Sequence, residues 1–287
     1  MIMTRLRATT FWATVIALLG LGSSASVQAV TIDWITIGDT GNAADVYDSG
    51  WGAVGYEYRI SKTEVTNSQY VEFLNAKATV GDTFSLFSSN MTTQTWGGIT
   101  RTGSGTGGDP WVYSVKAPVA GQGIGGSDYY YDNKPVSYVS WYDSIRFSNW
   151  LHNGQGSGDT ESGAYTLAGG TPIPSNGTSI TREAGAQVFL TSEDEWYKAA
   201  YYDPNKAGGA DYWLYPTGTD TAPDNNIPSA DSGNSANWGG AGSPSKWSYP
   251  LTDVGSYPVT ASPYGVSDMG GSLYEWNETL VGGSTRR

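Results

Sequence analysis

The sequence contains no cysteine and a single histidine. The lack of cysteine excludes disulfides, thiolate metal sites and a cysteine nucleophile, and a single histidine excludes zinc sites built from several imidazoles. Basic residues are also scarce, with 15 Lys and Arg against 27 Asp and Glu and a net charge of −12. So acidic a chain offers no basic stripe for phosphates, and we expect no nucleic-acid partner.

Glycine and aromatic residues are abundant instead. The 287 residues include 39 Gly, 12 Trp and 20 Tyr, although hydrophobic residues make up only 38%. Large aromatic side chains bury much apolar area per residue, so this composition does not indicate disorder. It is typical of a loop-rich domain held together by aromatic anchors.

Residues 1–29 are predicted to be a signal peptide. Arg5 and Arg7 precede an apolar run, 11–22, that is too short to span a bilayer comfortably. Residues 27–29 (Val-Gln-Ala) then fit a signal-peptidase site. We expect cleavage after Ala29, export to the periplasm or the exterior, and no membrane contact after cleavage. An uncleaved N-terminal anchor is the alternative.

The remaining residues, 30–287, are predicted to form one domain with three short helices. Thr66 and Gln69 have the spacing of a capping box, and acidic residues fill the first turn of the last helix, where the helix dipole favours them. The predicted helices are 67–76 capped by Thr66, 141–152 capped by Ser140, and 192–201 capped by Thr191.

Short strand-like pieces interrupt long stretches of Gly, Ser, Thr and Asn. The predicted strands are 56–60, 111–115 and 188–190, and the loop-like stretches are 81–126, 154–185 and 208–245. Loops this long inside a compact domain are usually functional. The pattern favours an irregular α+β domain over a doubly wound sheet or a β-sandwich.

Four segments in order carry a family resemblance. They are 58–70 (YRISKTEVTNSQY), 134–144 (KPVSYVSWYDS), 190–200 (LTSEDEWYKAA) and 265–276 (GVSDMGGSLYEW). Together they resemble the formylglycine-generating enzyme, or sulfatase-modifying factor, family. The resemblance implies a single α+β domain of C-type-lectin-like fold. It also implies that Trp141, Trp196 and Trp276 are buried anchors rather than stacking platforms for a ligand.

The activity of that family does not carry over directly. Its founding enzymes oxidise a sulfatase cysteine to formylglycine with a copper ion held by two cysteines, and this sequence has none. The sequence stops at residues 282–287, about where relatives continue towards a closing strand. We therefore expect a domain that lacks its last strands, either as a fragment or as a naturally short protein. Copper is not supported, unless a further segment supplies the cysteines.

Calcium is the cofactor that the resemblance does imply. Hard carboxylate and carbonyl oxygens on a glycine-containing turn are ligands that calcium prefers. A tight turn whose acids merely face solvent is the alternative. The implied ligands are the Asp268 and Glu275 side chains and the Gly271 and Leu273 carbonyls, with a second site at Asn237, the Trp238 carbonyl and Asp253.

The sequence thus predicts an exported, catalytically silent, calcium-stabilised binding or structural module. Its expected partner is an extracytoplasmic protein or a glycan. A copper-dependent oxidase acting on a sulfatase cysteine is one alternative, and a calcium-dependent carbohydrate-binding protein is another.

Overall fold

The computed structural model describes residues 29–46, 50–238, 251–281 and 285–286. The predicted signal peptide, except for Ala29, lies outside the described residues, as does the end of the predicted loop 208–245. In the part of the chain that is described, no helix has the length and apolar character needed to cross a membrane.

Regular secondary structure is short everywhere. The helices are α1 (Asn67–Lys77), α2 (Asn90–Thr93), α3 (Trp141–His152) and α4 (Glu193–Tyr201), with single 3₁₀ turns at Ile124–Gly126, Gly177–Ser179 and Pro228–Ala230. The strands are β1 (Trp34–Ile37), β2 (Tyr58–Ser61), β3 (Ile99–Thr102), β4 (Val112–Val115), β5 (Tyr202–Asp203), β6 (Asp211–Tyr212), β7 (Leu280–Val281) and β8 (Thr285–Arg286). The predicted loop-rich α+β architecture is confirmed.

The strands pair only locally. Within the described residues they form four separate antiparallel ribbons, β1–β2, β3–β4, β5–β6 and β7–β8. In the first ribbon the register runs from Trp34 opposite Ser61 to Ile37 opposite Tyr58. The predicted strands at 56–60 and 111–115 are present with shifted ends. The predicted strand at 188–190 is wrong, because this stretch follows a turn without entering a ladder.

Helix starts follow the capping signals in the sequence. Thr66 accepts a hydrogen bond from the Gln69 amide, and Ser140 caps α3 in the same way through Asp143. The predicted cap of α4 is wrong by one residue. Ser192, not Thr191, accepts from the amide of the residue three positions on, because the acid that completes the box is Glu195.

Aromatic packing between α1 and α3 forms the largest core cluster. Phe73 lies 5.3 Å from Phe147 and 5.2 Å from Trp150, measured between ring centroids, and its side chain is fully buried. Tyr70 packs against the same group. Each such side chain stabilises the fold by about 1.5–3 kcal/mol through burial alone, so a few rings hold two short helices together.

Buried cations tie loops to helices. Arg146 on α3 is fully buried and donates to both carboxylate oxygens of Glu161, at 2.6 and 3.0 Å. Lys198 on α4 is also fully buried, and its ammonium donates to the carbonyls of Gly38 and Asp39. Arg146 also donates to the carbonyls of Thr171 and Pro172, so both cations satisfy backbone carbonyls that the long loops would otherwise leave without donors.

Arg182 joins α4 to the C-terminal part of the chain. Its guanidinium donates to both oxygens of Glu195, at 2.9 and 2.7 Å, and lies 2.7 Å from Glu278. Burial disfavours the charged form of Glu195, but the paired guanidinium outweighs it and holds the pKa of Glu195 below its usual value. A charge-assisted fork of this kind fixes the two acids relative to each other.

Candidate binding groove and carboxylate cluster

A cavity of about 730 Å³ opens beside β2. We refer to this cavity as the groove. All of β2 lines it, together with residues from 135–139, 188–191 and 266–276 and from α3 and α4. Its size is that of ordinary ligand sites, and its walls are mostly apolar.

The 266–276 wall belongs to an irregular segment that other elements hold by hydrogen bonds. The Ser267 amide donates to the Lys62 carbonyl at 2.9 Å. The Trp141 indole donates to the Asn277 carbonyl at 3.0 Å, and the Asn277 side chain donates to Glu193 at 3.0 Å. The segment therefore has a fixed shape without belonging to a helix or a sheet.

Five exposed aromatic side chains line the groove. They are Trp34, Trp96, Tyr138, Tyr274 and Trp276. Single exposed apolar residues are common on protein surfaces, but their concentration around one cavity is typical of an interaction site.

The tryptophans predicted to be buried anchors behave differently from one another. Trp141 is buried, as predicted. Trp196 is half-buried, and its indole donates to Glu275 Oε2 at 2.6 Å. The prediction for Trp276 is wrong, because 43% of it is exposed. The Trp276 indole donates to the Val139 carbonyl at 2.9 Å, which holds the ring at the edge of the groove.

Three carboxyl groups come together at the inner end of this wall. Asp268 adopts a left-handed backbone conformation, with φ of 59°, and accepts a hydrogen bond from the Gly255 amide. The Glu64 carboxyl lies against that of Asp268, and Glu275 is close enough for its charge to act on both. Glu64 Oε2 is buried and has no hydrogen-bond donor among the described residues. We refer to these residues as the carboxylate cluster.

Burial raises the pKa of each member of the cluster, and like charges add to this at Glu64 and Glu275. Burial is the main cause at Glu64, and the charges of Asp268 and Glu275 add to it. At Glu275 burial outweighs the opposing Trp196 hydrogen bond, and with the nearby Asp268 charge it raises the pKa to about 7. Burial also raises the pKa of Asp268, against the hydrogen bond from Gly255. The cluster is therefore stabilised by bound protons or by a cation.

The structure divides the predicted ligands of the first calcium site between two cavities. Asp268 and Gly271 line a small cavity with Asn237, whereas Leu273 and Glu275 line the groove. The Asn237 carbonyl accepts from the Ser272 amide at 2.9 Å. Gly271 has φ of 127°, and a Cβ there would lie 2.6 Å from the Asn237 carbonyl oxygen, so only glycine fits.

In the predicted second calcium site, the Asp253 side chain is paired elsewhere, whereas the contacts of Trp238 involve its indole and not the carbonyl that is the predicted ligand. The Trp238 indole donates to the carbonyls of Pro223 and Asp224, and the side chain is exposed. Asp253 pairs with the Lys134 ammonium. Across the described residues, no three His, Asp or Glu side chains converge closely enough to hold a metal ion by themselves. A site built from the predicted residues would need backbone carbonyls as well.

Sequence reasoning missed Glu64 as a member of the site. It lies two residues before the cap of α1, where an acid is usually solvated, and no local pattern distinguishes it from such an acid. Only the approach of the 266–276 segment to the end of β2 gives it two acidic neighbours.

Comparison with known proteins assigns the family. A model of the sulfatase-modifying factor enzyme 1-like domain matches residues 53–284, which is most of the chain. The chain belongs to this family. The match includes the carboxylate cluster and four of the five exposed aromatics of the groove, with Trp34 lying before its first residue.

A solved structure supports the fold of this family member. The crystal structure of CarF is 20% identical in sequence and has a TM-score of 0.50, covering 90% of this chain and 85% of that chain. At this identity the similarity concerns the fold alone. No curated protein sequence matches the chain.

The raised pKa values predict a pH dependence of stability. The folded state holds protons on Glu275 up to about pH 7, whereas the unfolded chain releases them near the ordinary pKa of 4.5. The folded state therefore binds more protons between these values, and its stability falls as the pH rises through this window. In calcium-free buffer, the free energy of unfolding should fall less for Glu275→Gln than for the wild type as the pH rises from 5 to 8. After allowance for solvent screening, the difference between the two proteins should change by about 1 kcal/mol in favour of the variant.

Denaturant unfolding at a series of pH values measures this difference. Glu57→Gln, at an exposed carboxylate away from the groove, is the control and should follow the wild-type profile. If the free energies of unfolding of Glu275→Gln and the wild type changed with pH in parallel, the raised pKa of Glu275 would be contradicted.

Proposed function

We propose that this protein is an exported, catalytically silent member of the family that acts as a calcium-stabilised binding module. The observation that carries the catalytic part of the proposal is the lack of any cysteine in the sequence. The founding chemistry needs a copper ion on thiolates, and oxygen ligands do not replace soft sulfur for that metal.

The two methionines among the described residues do not supply an alternative copper site. Met91 is fully buried in the cluster between α1 and α3, and Met269 is buried in a different cluster beneath β2. Their thioethers contact apolar side chains, so the residues present do not fit copper. No step of the family's oxidation is therefore assigned to this chain.

The carboxylate cluster supports the calcium part of the proposal. Asp268 and Glu275 supply carboxylate oxygens, Gly271 and Leu273 supply carbonyls, and Glu64 Oε2 is a buried oxygen without a donor. A hard divalent cation would neutralise charges that the fold otherwise holds together at a cost. Bound there, calcium would crosslink the end of β2 to the wall of the groove.

Export is proposed from the sequence pattern of residues 1–29, and the way in which the described domain begins is compatible with it. Val30 is buried, its amide donates to Gln155 Oε1 at 2.6 Å, and its carbonyl accepts from Gln155 Nε2 at 2.8 Å. Cleavage after Ala29 would make Val30 the first residue, and the Gln155 side chain is bonded to both the backbone nitrogen and the carbonyl of Val30.

Calcium should raise the thermal stability of the protein. At a calcium concentration about a hundred times the Kd, ligand linkage adds about 2.7 kcal/mol, or roughly 5–10 °C in Tm for a domain of this size. Differential scanning calorimetry in calcium and in EGTA measures the shift. Asp268→Ala combined with Glu275→Ala should abolish the shift in Tm. The control, Asp33→Asn, changes an exposed acid immediately before β1 and should retain the shift. Equal Tm values in calcium and EGTA would rule out the calcium role.

The purified chain should leave a thiol peptide unoxidised. After incubation with copper, oxygen, a reductant and a sulfatase-derived cysteine peptide, mass spectrometry should detect no peptide aldehyde above a protein-free control. An aldehyde formed in proportion to the protein concentration would show that the chain has the oxidase activity after all.

The exported protein should begin at Val30. N-terminal sequencing of material recovered outside the cytoplasm measures this directly. Ala29→Arg, which spoils the small-residue site, should retain the full-length chain in the membrane fraction. Soluble cytoplasmic protein that still carries Met1 would contradict the proposed export.

A further inference from the structure

Five aromatic side chains form a continuous row from the groove into the interior. They are Trp196, Tyr201, Tyr197, Tyr212 and Tyr202 in order of contact, and we refer to them as the aromatic row. The ring centroids of successive members lie 6.1, 4.6, 5.6 and 5.1 Å apart, which is the range of direct ring contacts. Trp196 lines the groove, whereas the last three members are buried. The row therefore connects an indole at the wall of an open cavity to phenols in the interior.

Regular secondary structure sets the spacing of the row. Tyr197 and Tyr201 lie four residues apart on α4 and therefore share one face of the helix. Tyr202 and Tyr212 are opposite residues of the β5–β6 ribbon, so their rings stand side by side. Because a helix and a ribbon hold these positions, the contacts within the row are a fixed part of the fold.

The Tyr197 hydroxyl has a proton acceptor beside it. It donates to Asp45 Oδ2 at 2.8 Å, and only 5% of Asp45 is exposed. At this distance a carboxylate takes up a proton directly. The Tyr212 hydroxyl donates instead to the Ala43 carbonyl at 2.8 Å, and a backbone carbonyl does not act as a base near neutral pH. The two phenols thus differ in whether a proton can leave them.

That difference decides how each ring responds to one-electron oxidation. A phenol that loses an electron becomes a strong acid, so tyrosine is oxidised easily only where its proton can move to a base. An indole can lose an electron and retain its N–H proton. Within the row, an oxidant in the groove therefore removes an electron most directly from Trp196, and the resulting electron vacancy is lowest in energy on Tyr197.

We propose that the aromatic row moves oxidising equivalents away from the groove and holds them on Tyr197. A one-electron oxidant that enters the groove, such as an oxygen-derived radical, takes an electron from Trp196 and is itself reduced. Tyr197 returns an electron to Trp196 through Tyr201, and the Tyr197 hydroxyl proton passes to Asp45 Oδ2. The products are an intact Trp196, a neutral tyrosyl radical and a protonated Asp45, so electrons and protons balance.

This role goes beyond the proposed binding module and depends on neither calcium nor a bound ligand. It protects the groove wall, because an oxidised indole that is not reduced again reacts with water or oxygen and is permanently altered. Tyr197 and Asp45 are both buried, so a radical held there is shielded from these reactions. If the row carries no electrons while calcium raises the Tm, this inference fails and the calcium-stabilised module stands.

A flash-generated ruthenium(III) polypyridine complex, which is a one-electron oxidant, tests the row in the purified chain. Samples are frozen after a delay in which radicals on exposed tyrosines react away, and electron paramagnetic resonance should then show a tyrosyl radical. Tyr197→Phe removes only the hydroxyl and should lower the yield of this radical about tenfold or more. Tyr113→Phe is the matched control and should give the wild-type yield, because Tyr113 is also buried, donates to the Ala78 carbonyl and lies outside the row.

Two further variants test the path and the proton acceptor. Tyr201→Leu interrupts the row but keeps the Tyr197–Asp45 pair, and Asp45→Asn keeps the shape of the acceptor but cannot take up the proton. In each, transient absorption should show the tryptophanyl radical decaying about tenfold more slowly than in the wild type. Circular dichroism checks that both variants fold, and either one suffices if the other does not.

Oxidative damage supplies an independent measurement. After steady illumination with the same oxidant, peptide mapping by mass spectrometry should find several-fold more oxidised Trp196 in Tyr197→Phe than in the wild type or Tyr113→Phe. Equal damage in all three proteins, or a long-lived radical that survives Tyr197→Phe, would overturn the proposal. So would a tryptophanyl decay that neither Tyr201→Leu nor Asp45→Asn changes.

Discussion

The bond network of Arg182 is the constraint on which the site depends. One guanidinium holds Glu195 at the start of α4 and Glu278 after the groove wall, and its Nη2 also donates to the Leu190 carbonyl at 3.1 Å. Because α4 carries Trp196, and Trp196 donates to Glu275, the network sets the distance between a helix and an irregular segment. Removing one partner would leave buried charge uncompensated, a loss far larger than that of a surface ion pair.

A loop-rich domain needs such side-chain pairing because its ribbons are too small to organise it. Two-stranded ribbons are marginal by themselves in water, and here the first three ribbons each pack against helices or aromatic rings. Long segments without ladders satisfy their carbonyls through Arg146, Lys198 and the amide side chains of residues such as Asn149. Stability and the shape of the groove thus have the same source, since the interactions that satisfy the loops also fix its walls.

Local signals in the sequence predicted the structure well. The caps of α1 and α3 depend on residues three positions apart, and both were correct; the cap of α4 was displaced because Thr191 and Ser192 are adjacent candidates and only Glu195 decides between them. The family motifs predicted the fold class and identified the turn that carries Asp268.

Long-range placement was not predictable from the residues. Glu64 lies far along the chain from Asp268, and the exposed Trp276 donates to the carbonyl of Val139, which is also far from it in sequence. The groove itself is formed by segments that are widely separated along the chain, and no single stretch of sequence contains its pattern. Aromatic residues were expected to fill the interior, since burial is their usual role, whereas here several of them surround an opening.

The distribution of tryptophan also gives the molecule its own optical reporters. Trp34, Trp96, Trp196 and Trp276 line the groove, while Trp150 is fully enclosed between the helices. A ligand that displaces water from the first group would shift their fluorescence emission to shorter wavelengths, and the enclosed indole would supply a constant background. Occupancy of the groove can therefore be followed in the unlabelled protein.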